Sequence, residues 1–182
     1  MSEQIRQRIN ELIAEIARGN TAALDELARL VSARMLSVAR QVLHSRPAAE
    51  DAVQDSFIKI LEKSGRFKPN TNGYAWICKI VYNTALNAKK RERITTDVDA
   101  CFDLSDGVNV AERSTAELTV EQAMSVLTDL ERQVIYQKYF MDFTVRDSAK
   151  ALGISKSSVS RTVIAAEEKM RRQISTRDKR DE

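Results

Sequence analysis

Apolar residues recur every three or four positions through long stretches of this chain, and glycines mark where the stretches end. The first stretch runs from Ile5 to Ile16 and stops at Gly19. This spacing places apolar side chains on one face of an α-helix, whereas glycine is disfavoured inside helices. The chain has only five glycines and two prolines against 30% charged residues, a composition that favours helix over turn-rich β structure. We therefore predict an all-α protein.

The helical repeat predicts four helices in residues 1–93. We expect Asn20 or Thr21 to cap the second helix, because both side chains can accept a hydrogen bond from the first turn. The third helix is expected to begin near Ala48 and to end before Gly65. Its buried face is predicted to consist of Ala49, Val53, Phe57, Ile60 and Leu61.

Composition changes after the fourth predicted helix. Residues 94–118 contain six acidic side chains and one basic one, and the apolar repeat disappears. Residues 94–114 are therefore predicted to be a flexible acidic linker. The segment 115–182 has room for three or four short helices, so we predict two small helical domains, 1–93 and 115–182, joined by this linker.

Composition also excludes several classes of protein. The net charge of +3 does not by itself identify a nucleic-acid partner. Cys78 and Cys101 are expected to be free thiols, and because His44 is the only histidine, no metal site of Cys and His ligands is predicted. No cofactor is predicted either. The chain has no Gly-rich phosphate loop and no nucleophile with a plausible base, so we predict no catalytic residue and no enzyme. No apolar run approaches the roughly 18 residues of a membrane span, so we expect a cytoplasmic protein without membrane contact.

The most specific local pattern lies between Val145 and Ile164 and is typical of a helix-turn-helix. Such a motif needs a small residue at the helix crossing, a glycine in the turn and apolar residues that lock the second helix. Ala149, Gly153 and Val159 occupy those places, with Leu152 and Ile154 beside them. Capping boxes are predicted at Thr128 to Glu131 and at Thr144 to Asp147, and Ser155 is the expected cap of the second helix of the motif.

The second helix of this motif is predicted to turn short hydroxyls and cations outward. These groups can approach phosphates or base edges in a major groove. The candidate DNA-contacting residues are Lys156, Ser157, Ser158, Ser160 and Arg161. The alternative is an ordinary helical corner with a solvated polar face.

Four segments together resemble a known family. Residues 13–20, 48–57 and 76–87 look like region 2 of extracytoplasmic-function sigma factors, in the same order and spacing. Residues 127–172 resemble region 4 of the same sigma-70 family. The resemblance implies that region 2 (1–93) binds core RNA polymerase and the promoter's minus-ten element, and that region 4 (115–182) binds the minus-35 element.

The resemblance also implies roles for particular side chains. Asp51, Gln54 and Asp55 match the positions that dock on the β′ coiled coil of core polymerase, and the β flap is a second expected polymerase contact. A pocket for a flipped base and cations along the strand are needed to capture the minus-ten element as a single strand. The residues matched to this task are Lys79, Asn83, Asn87, Lys89, Lys90 and Arg91. Trp76 could stack on a base, although a Trp among Ile77, Ile80 and Val81 is more often a core residue.

Two other functions stay open at this point. A helix-turn-helix regulator could bind paired half-sites in duplex DNA without the polymerase. An adaptor could keep the docking surface and no longer start transcription. Within the sigma interpretation, an anti-sigma protein is a possible partner, and the acidic linker either imitates nucleic acid near the polymerase active-site channel or acts only as a solubilising tether.

Overall fold

The computed structural model describes residues 2–43, 45–69, 71–95 and 123–178. The chain divides into two compact units, Met1–Asp106 and Gly107–Glu182. Over the described ranges the regular structure is helical and no strand occurs, which confirms the all-α prediction. The predicted acidic linker, with Cys101, lies outside these ranges. None of the described helices is both long and apolar enough to span a membrane.

The first unit contains four α-helices and one short 3-10 helix. These are α1 (Glu3–Ala17), α2 (Ala23–Arg40), α3 (Arg46–Lys63), the 3-10 helix (Ser64–Arg66) and α4 (Gly73–Thr95). Helix α4 packs against α1, α2 and α3, and α2 likewise packs against the other three helices. Each helix contributes apolar side chains to the core, among them Ile9, Leu12, Leu27, Val31, Met35, Ile60, Ile77 and Val81.

Two helix starts and one core residue differ from the prediction. Ala22, not Asn20 or Thr21, is the N-cap of α2 and makes no side-chain capping bond, because alanine has no side-chain acceptor. The side-chain amide of Asn20 donates to Glu15 Oε2 at 3.2 Å. Helix α3 begins at Arg46, two residues before the predicted start, with the Ser45 hydroxyl accepting from the Ala48 amide. Leu61 is 36% exposed, because it follows the buried Ile60 by one residue, about 100° around the helix.

Gly73 allows α4 to start directly against α1. The Gly73 amide donates to Asn10 Oδ1 at 2.8 Å, and the Asn10 amide donates back to the Thr71 carbonyl at 2.9 Å. A Cβ atom at Gly73 would overlap Asn10 Oδ1 and would lie 2.8 Å from Ile13 Cδ1. Asn10 therefore fixes the loop before α4, and only glycine fits at the contact.

The second unit is organised around the predicted helix-turn-helix. Its described helices are α5 (Asp129–Tyr139), α6 (Val145–Leu152) and α7 (Lys156–Asp178), and residues 123–125 are also helical. Both predicted capping boxes are present at the starts of α5 and α6. Gly153 takes the left-handed conformation at φ 68°, as expected for the residue that makes the turn.

The predicted contacts within the helix-turn-helix are confirmed. Val159 and Val163 of α7 form a buried cluster with Val134 of α5. Ala149, Leu152 and Ile154 pack against this cluster. The packing fixes the orientation of α7, so it also decides which α7 residues face outward.

Candidate functional site

A groove between α3 and α4 brings together the three residues matched to polymerase docking. Asp51, Gln54 and Asp55 are all exposed on α3. The groove has a volume of about 450 Å³. We call it the acidic groove; its lining is Ala48, Asp51, Ala52, Gln54, Asp55, Ala88, Arg91 and Glu92.

Arg91 lies in the acidic groove and not with the other residues matched to the minus-ten element. It extends from α4 opposite the first turns of α3, which carry Asp51 and Asp55. Lys89 is half-buried and Lys90 is exposed. The six residues named for minus-ten DNA are therefore not a single cluster.

A second concavity follows along the same α3–α4 interface and is lined largely by cations and amides. It has a volume of about 260 Å³. We call it the lysine pocket; its lining is Lys59, Lys63, Trp76, Lys79, Ile80, Asn83, Thr84 and Asn87. The pocket unites three of the predicted minus-ten residues, namely Lys79, Asn83 and Asn87.

The two lysines that α3 contributes to this pocket were missed in the sequence. Asp51, Asp55, Lys59 and Lys63 follow one another at intervals of four residues, so they form one stripe that changes from acidic to basic along α3. This change in the sign of the charge along α3 is the sequence pattern that could have identified the two lysines. It places negative charge in the acidic groove and positive charge in the lysine pocket.

Hydrogen bonding and ring packing position two members of the lysine pocket. The Lys59 ammonium donates to Thr84 Oγ1 at 3.0 Å, and the Thr84 hydroxyl donates to the Ile80 carbonyl at 2.8 Å. The Trp76 indole is half-buried and contacts the Phe67 ring, with 5.4 Å between ring centroids. Trp76 thus packs in the unit and also lines the pocket, while stacking of this ring on a base stays a prediction.

Helix α7 exposes part of the predicted DNA-contacting set. Lys156, Ser157 and Arg161 are exposed, whereas Ser158 and Ser160 are half-buried. Ser155 caps the helix by accepting from the Ser158 amide at 3.1 Å, and its hydroxyl also lies 3.0 Å from the Ser158 hydroxyl. Ser158 is therefore partly committed to the start of the helix.

Ile164 belongs to the outward face of α7 and was not among the predicted DNA contacts. Its side chain is 64% exposed, the largest exposure among the large apolar residues described. It follows Arg161 by three residues and Ser160 by four, so it lies on the same side of the helix. An exposed apolar side chain next to cations and hydroxyls can contact the methyl group of thymine in a major groove.

Two ion pairs join α5 to α7. Glu131 accepts from the Lys169 ammonium at 2.8 Å, and Lys138 pairs with Glu167. The hydrogen bond from Lys169, together with the Thr128 capping bonds, lowers the pKa of Glu131. Lys138 lowers the pKa of Glu167, and Glu167 in turn raises the pKa of Lys138.

Comparison with known proteins agrees with this two-unit arrangement. The Sigma-70 region 2 profile matches residues 27–94, and the Sigma-70, region 4 profile matches residues 123–172. The RNA polymerase sigma-H factor of Pseudomonas aeruginosa is 25% identical over 177 residues, which cover 90% of this chain and 92% of that protein. The ECF RNA polymerase sigma factor SigM of Mycobacterium tuberculosis is 24% identical over 82% of this chain and 76% of its own length.

Two solved structures share the fold. CnrH in complex with the cytosolic domain of CnrY superposes with a TM-score of 0.57 at 20% identity, covering 93% of this chain and 98% of that one. The sigma factor RpoE of Bartonella quintana, in complex with the anti-sigma factor NepR, gives a TM-score of 0.57 at 19% identity, covering 83% of this chain and 96% of that one. With both sigma-70 regions matched in order over well over half of its length, the chain belongs to the sigma-70 family, in the extracytoplasmic-function group of RNA polymerase sigma factors.

Proposed function

We propose that the acidic groove docks this sigma factor on core RNA polymerase, that the lysine pocket contacts the minus-ten element, and that α7 reads the minus-35 element. As a sigma factor, the protein binds core polymerase and directs it to promoters for transcription initiation. The observation that most supports these assignments is the stripe of charge along α3. This one helix contributes acidic residues to the groove and basic residues to the pocket, so the two surfaces differ in the sign of their charge. The protein acts by binding in this proposal, without catalysis, and works in the cytoplasm, where polymerase and promoters are found.

The acidic groove suits a protein partner better than DNA. Asp51 and Asp55 would repel phosphates, whereas they can pair with basic side chains of a docking helix. Gln54 adds both a donor and an acceptor, and Arg91 adds a cation at the opposite wall. These groups suit the β′ coiled coil as the partner. Because Arg91 lines this groove, its proposed role is to bind polymerase and not minus-ten DNA, the role that the resemblance implied.

The outer face of α7 suits duplex DNA. Lys156 lies in the first turn, where residues of a recognition helix contact base edges or phosphates. Arg161 can bond a phosphate or a guanine, and Ile164 can meet a thymine methyl. Lys89 and Lys90, near the end of α4, are proposed to contact phosphates of the minus-ten region.

Further partners are proposed from the family resemblance and from one solved relative. The β flap is the expected second polymerase contact, made by region 4. Because RpoE of Bartonella quintana was solved with the anti-sigma factor NepR, we include an anti-sigma protein among the proposed partners.

The docking proposal can be tested with Asp51→Ala and Gln54→Ala, alone and together. Each change removes a polar group from the acidic groove, and we expect the double variant to bind purified core polymerase at least about tenfold more weakly, as for substitutions at the centre of an interface. The matched control is Glu62→Ala, which removes a carboxylate from an exposed position of α3 that does not line the groove. Affinity is measured by titrating labelled protein with core enzyme, and circular dichroism checks that every variant folds.

The result also separates the sigma proposal from its rivals. Equal binding by the double variant and by Glu62→Ala would refute the groove as the docking surface. Wild-type protein that does not bind core polymerase but binds a palindromic duplex unaided would instead be a helix-turn-helix regulator. An adaptor would bind core enzyme without supporting run-off transcription on genomic fragments.

A further inference from the structure

We infer that Asn10 of α1 is a positioning residue for promoter binding: its side chain holds the loop before α4, and through that loop it sets the place of Trp76 in the lysine pocket. Asn10 can act in this way only if the pocket contacts the minus-ten element, so the role rests on the proposed function. Helix α1 ends at Ala17, before residues 27–94 that match the region 2 profile, and the match therefore assigns no task to Asn10.

The Asn10 side chain bonds three backbone groups of the loop and of the start of α4. Its Nδ2 atom donates to the Pro69 carbonyl at 3.3 Å and to the Thr71 carbonyl at 2.9 Å, and its Oδ1 atom accepts from the Gly73 amide at 2.8 Å. A carbonyl can only accept and an amide N–H can only donate, so both ends of the Asn10 amide are matched to their partners. Neither alanine nor aspartate could satisfy all three groups at once.

Asn10 links a turn within this loop to α1. The Thr71 amide and hydroxyl both donate to the Lys68 carbonyl, at 3.0 Å and 2.7 Å, and these bonds close the turn locally. Gly73 is the first residue of α4, so its amide has no acceptor within the helix and uses Asn10 Oδ1 instead. The same side chain thus anchors both the turn and the start of α4.

The loop leads directly into the first turn of α4, which carries Trp76. The Asn72 side chain accepts from the Ala75 amide at 3.0 Å, and the Asn72 carbonyl accepts from the Trp76 amide at 3.0 Å. At the other end of the loop, the buried Phe67 ring contacts the Trp76 indole. Because residues on both sides of the loop contact Trp76, a change in the path of the loop would move the indole that lines the lysine pocket.

Two variants of the full chain test this role. Asn10→Ala removes all three bonds, and Asn10→Asp keeps only the acceptor for the Gly73 amide. Alanine favours a helix more than asparagine does, so a loss of function in Asn10→Ala comes from the bonds to the loop and not from α1 itself. The matched control is Gln7→Ala, which removes another amide from α1, one that bonds Glu11 of the same helix. A second control, Val31→Ala, opens a cavity in the core of the same unit and lowers its stability.

The first measurement is the quenching of Trp76 fluorescence by acrylamide, because Trp76 is the only tryptophan in the chain. The indole is half-buried, so we expect Asn10→Ala to raise the quenching constant and to shift the emission to longer wavelength. Gln7→Ala and Val31→Ala should keep the wild-type quenching and emission at a temperature where all variants are folded, as checked by circular dichroism. This signature distinguishes a displaced loop from a general loss of stability.

The second measurement is run-off transcription by holoenzyme assembled from core polymerase and each variant, on a genomic fragment that the wild-type holoenzyme transcribes. Since apparent affinity falls with the fraction of molecules in the competent arrangement, and loss of the Asn10 bonds lowers that fraction, Asn10→Ala should need about tenfold more holoenzyme for half-maximal transcription. Asn10→Asp should lie between Asn10→Ala and the wild type. Core-polymerase affinity should stay unchanged, because Asn10 does not line the acidic groove.

Wild-type transcription or wild-type Trp76 quenching in Asn10→Ala would overturn the inference, as would an equal loss in Gln7→Ala or Val31→Ala. Should Asn10→Ala not fold, Asn10→Asp takes its place, and wild-type behaviour of that variant has the same meaning. The double variant Lys79→Met with Asn83→Ala tests the proposed function in the same assay. If it loses transcription while the Asn10 variants do not, the role of Asn10 fails and the minus-ten role of the pocket stands. If the double variant transcribes normally, the minus-ten role of the pocket fails, and the role of Asn10 fails with it.

Discussion

Replacing Gln137 by methionine should stabilise the second unit. Gln137 lies in α5, is 2% exposed, and neither its Oε1 nor its Nε2 atom has a hydrogen-bond partner among the described residues. A buried polar group without a partner costs about 1–3 kcal/mol, and methionine has a similar length and flexibility without the amide. The side-chain shape is thus nearly kept while the desolvation cost is removed.

The expected gain is about 1–3 kcal/mol in the free energy of unfolding. Although two amide atoms are unpaired, they belong to one side chain that can adjust, so we do not expect the two costs to add fully. In a unit of this size each kcal/mol raises Tm by about 4–8 °C. Calorimetry of the full chain measures the change, and Trp76 fluorescence separately reports unfolding of the first unit.

Gln133→Met is the matched control, since Gln133 occupies an exposed position of the same helix. This change should alter stability by no more than about 0.5 kcal/mol. The reasoning is refuted if Gln137→Met stabilises no more than the control or destabilises the unit. Either result would contradict the cost assigned here to burying the unpaired Gln137 amide.

Three further substitutions should each lower the stability of the protein, and each tests a different physical cause. Gly73→Ala should lower stability by about 1–3 kcal/mol, because its Cβ would overlap Asn10; thermal unfolding measures the loss, and an unchanged Tm would contradict the close contact. Gly153→Ala meets no atom within 4 Å, so only its left-handed backbone costs energy, about 1–2 kcal/mol, and a neutral effect on Tm would contradict this cause. Lys169 lowers the pKa of Glu131 in the folded protein, so the unfolded chain binds a proton at Glu131 more readily than the folded chain does. The stabilisation from this ion pair is complete above pH 4.5, the usual pKa of the carboxyl group, and is lost as the pH falls through the lower pKa of the folded state. Glu131→Gln should therefore lower Tm at pH 7 and have a shrinking effect in acid, whereas a constant difference across this range would contradict the pKa shift.

Local patterns predicted the second unit well because its signals lie within a few residues. A capping box needs only a hydroxyl and an acid three positions apart, as at Thr128 and Thr144. The turn needs a glycine at one position, and Gly153 occupies it. The start of α2 was predicted less well, because the helix begins at least one residue later than either polar candidate would allow, with Ala22 as its N-cap.

The α3–α4 face could be predicted only in part because it depends on how the two helices pack. The sequence identified Asp51, Gln54 and Asp55, and also Lys79, Asn83 and Asn87, but these sets came from a resemblance to the family and from one helix at a time. Lys59 and Lys63 join the pocket because that part of α3 faces Trp76 to Asn87. Arg91 joins the acidic groove because the end of α4 lies opposite the start of α3. Neither pairing follows from the spacing along a single helix.

The continuity of α3 limits which insertions and deletions this protein can accept. Asp51 and Lys63 stand on one helix with no glycine or proline between them, about 18 Å apart along its axis at 1.5 Å per residue. One inserted residue between Asp55 and Lys59 would turn the following side chains by about 100° and move both lysines out of the pocket, even if the helix stayed intact. Length changes in residues 56–58 should therefore disturb the α3–α4 face far more than substitutions at the same positions, because the number of residues between the two surfaces sets which side chains line each one.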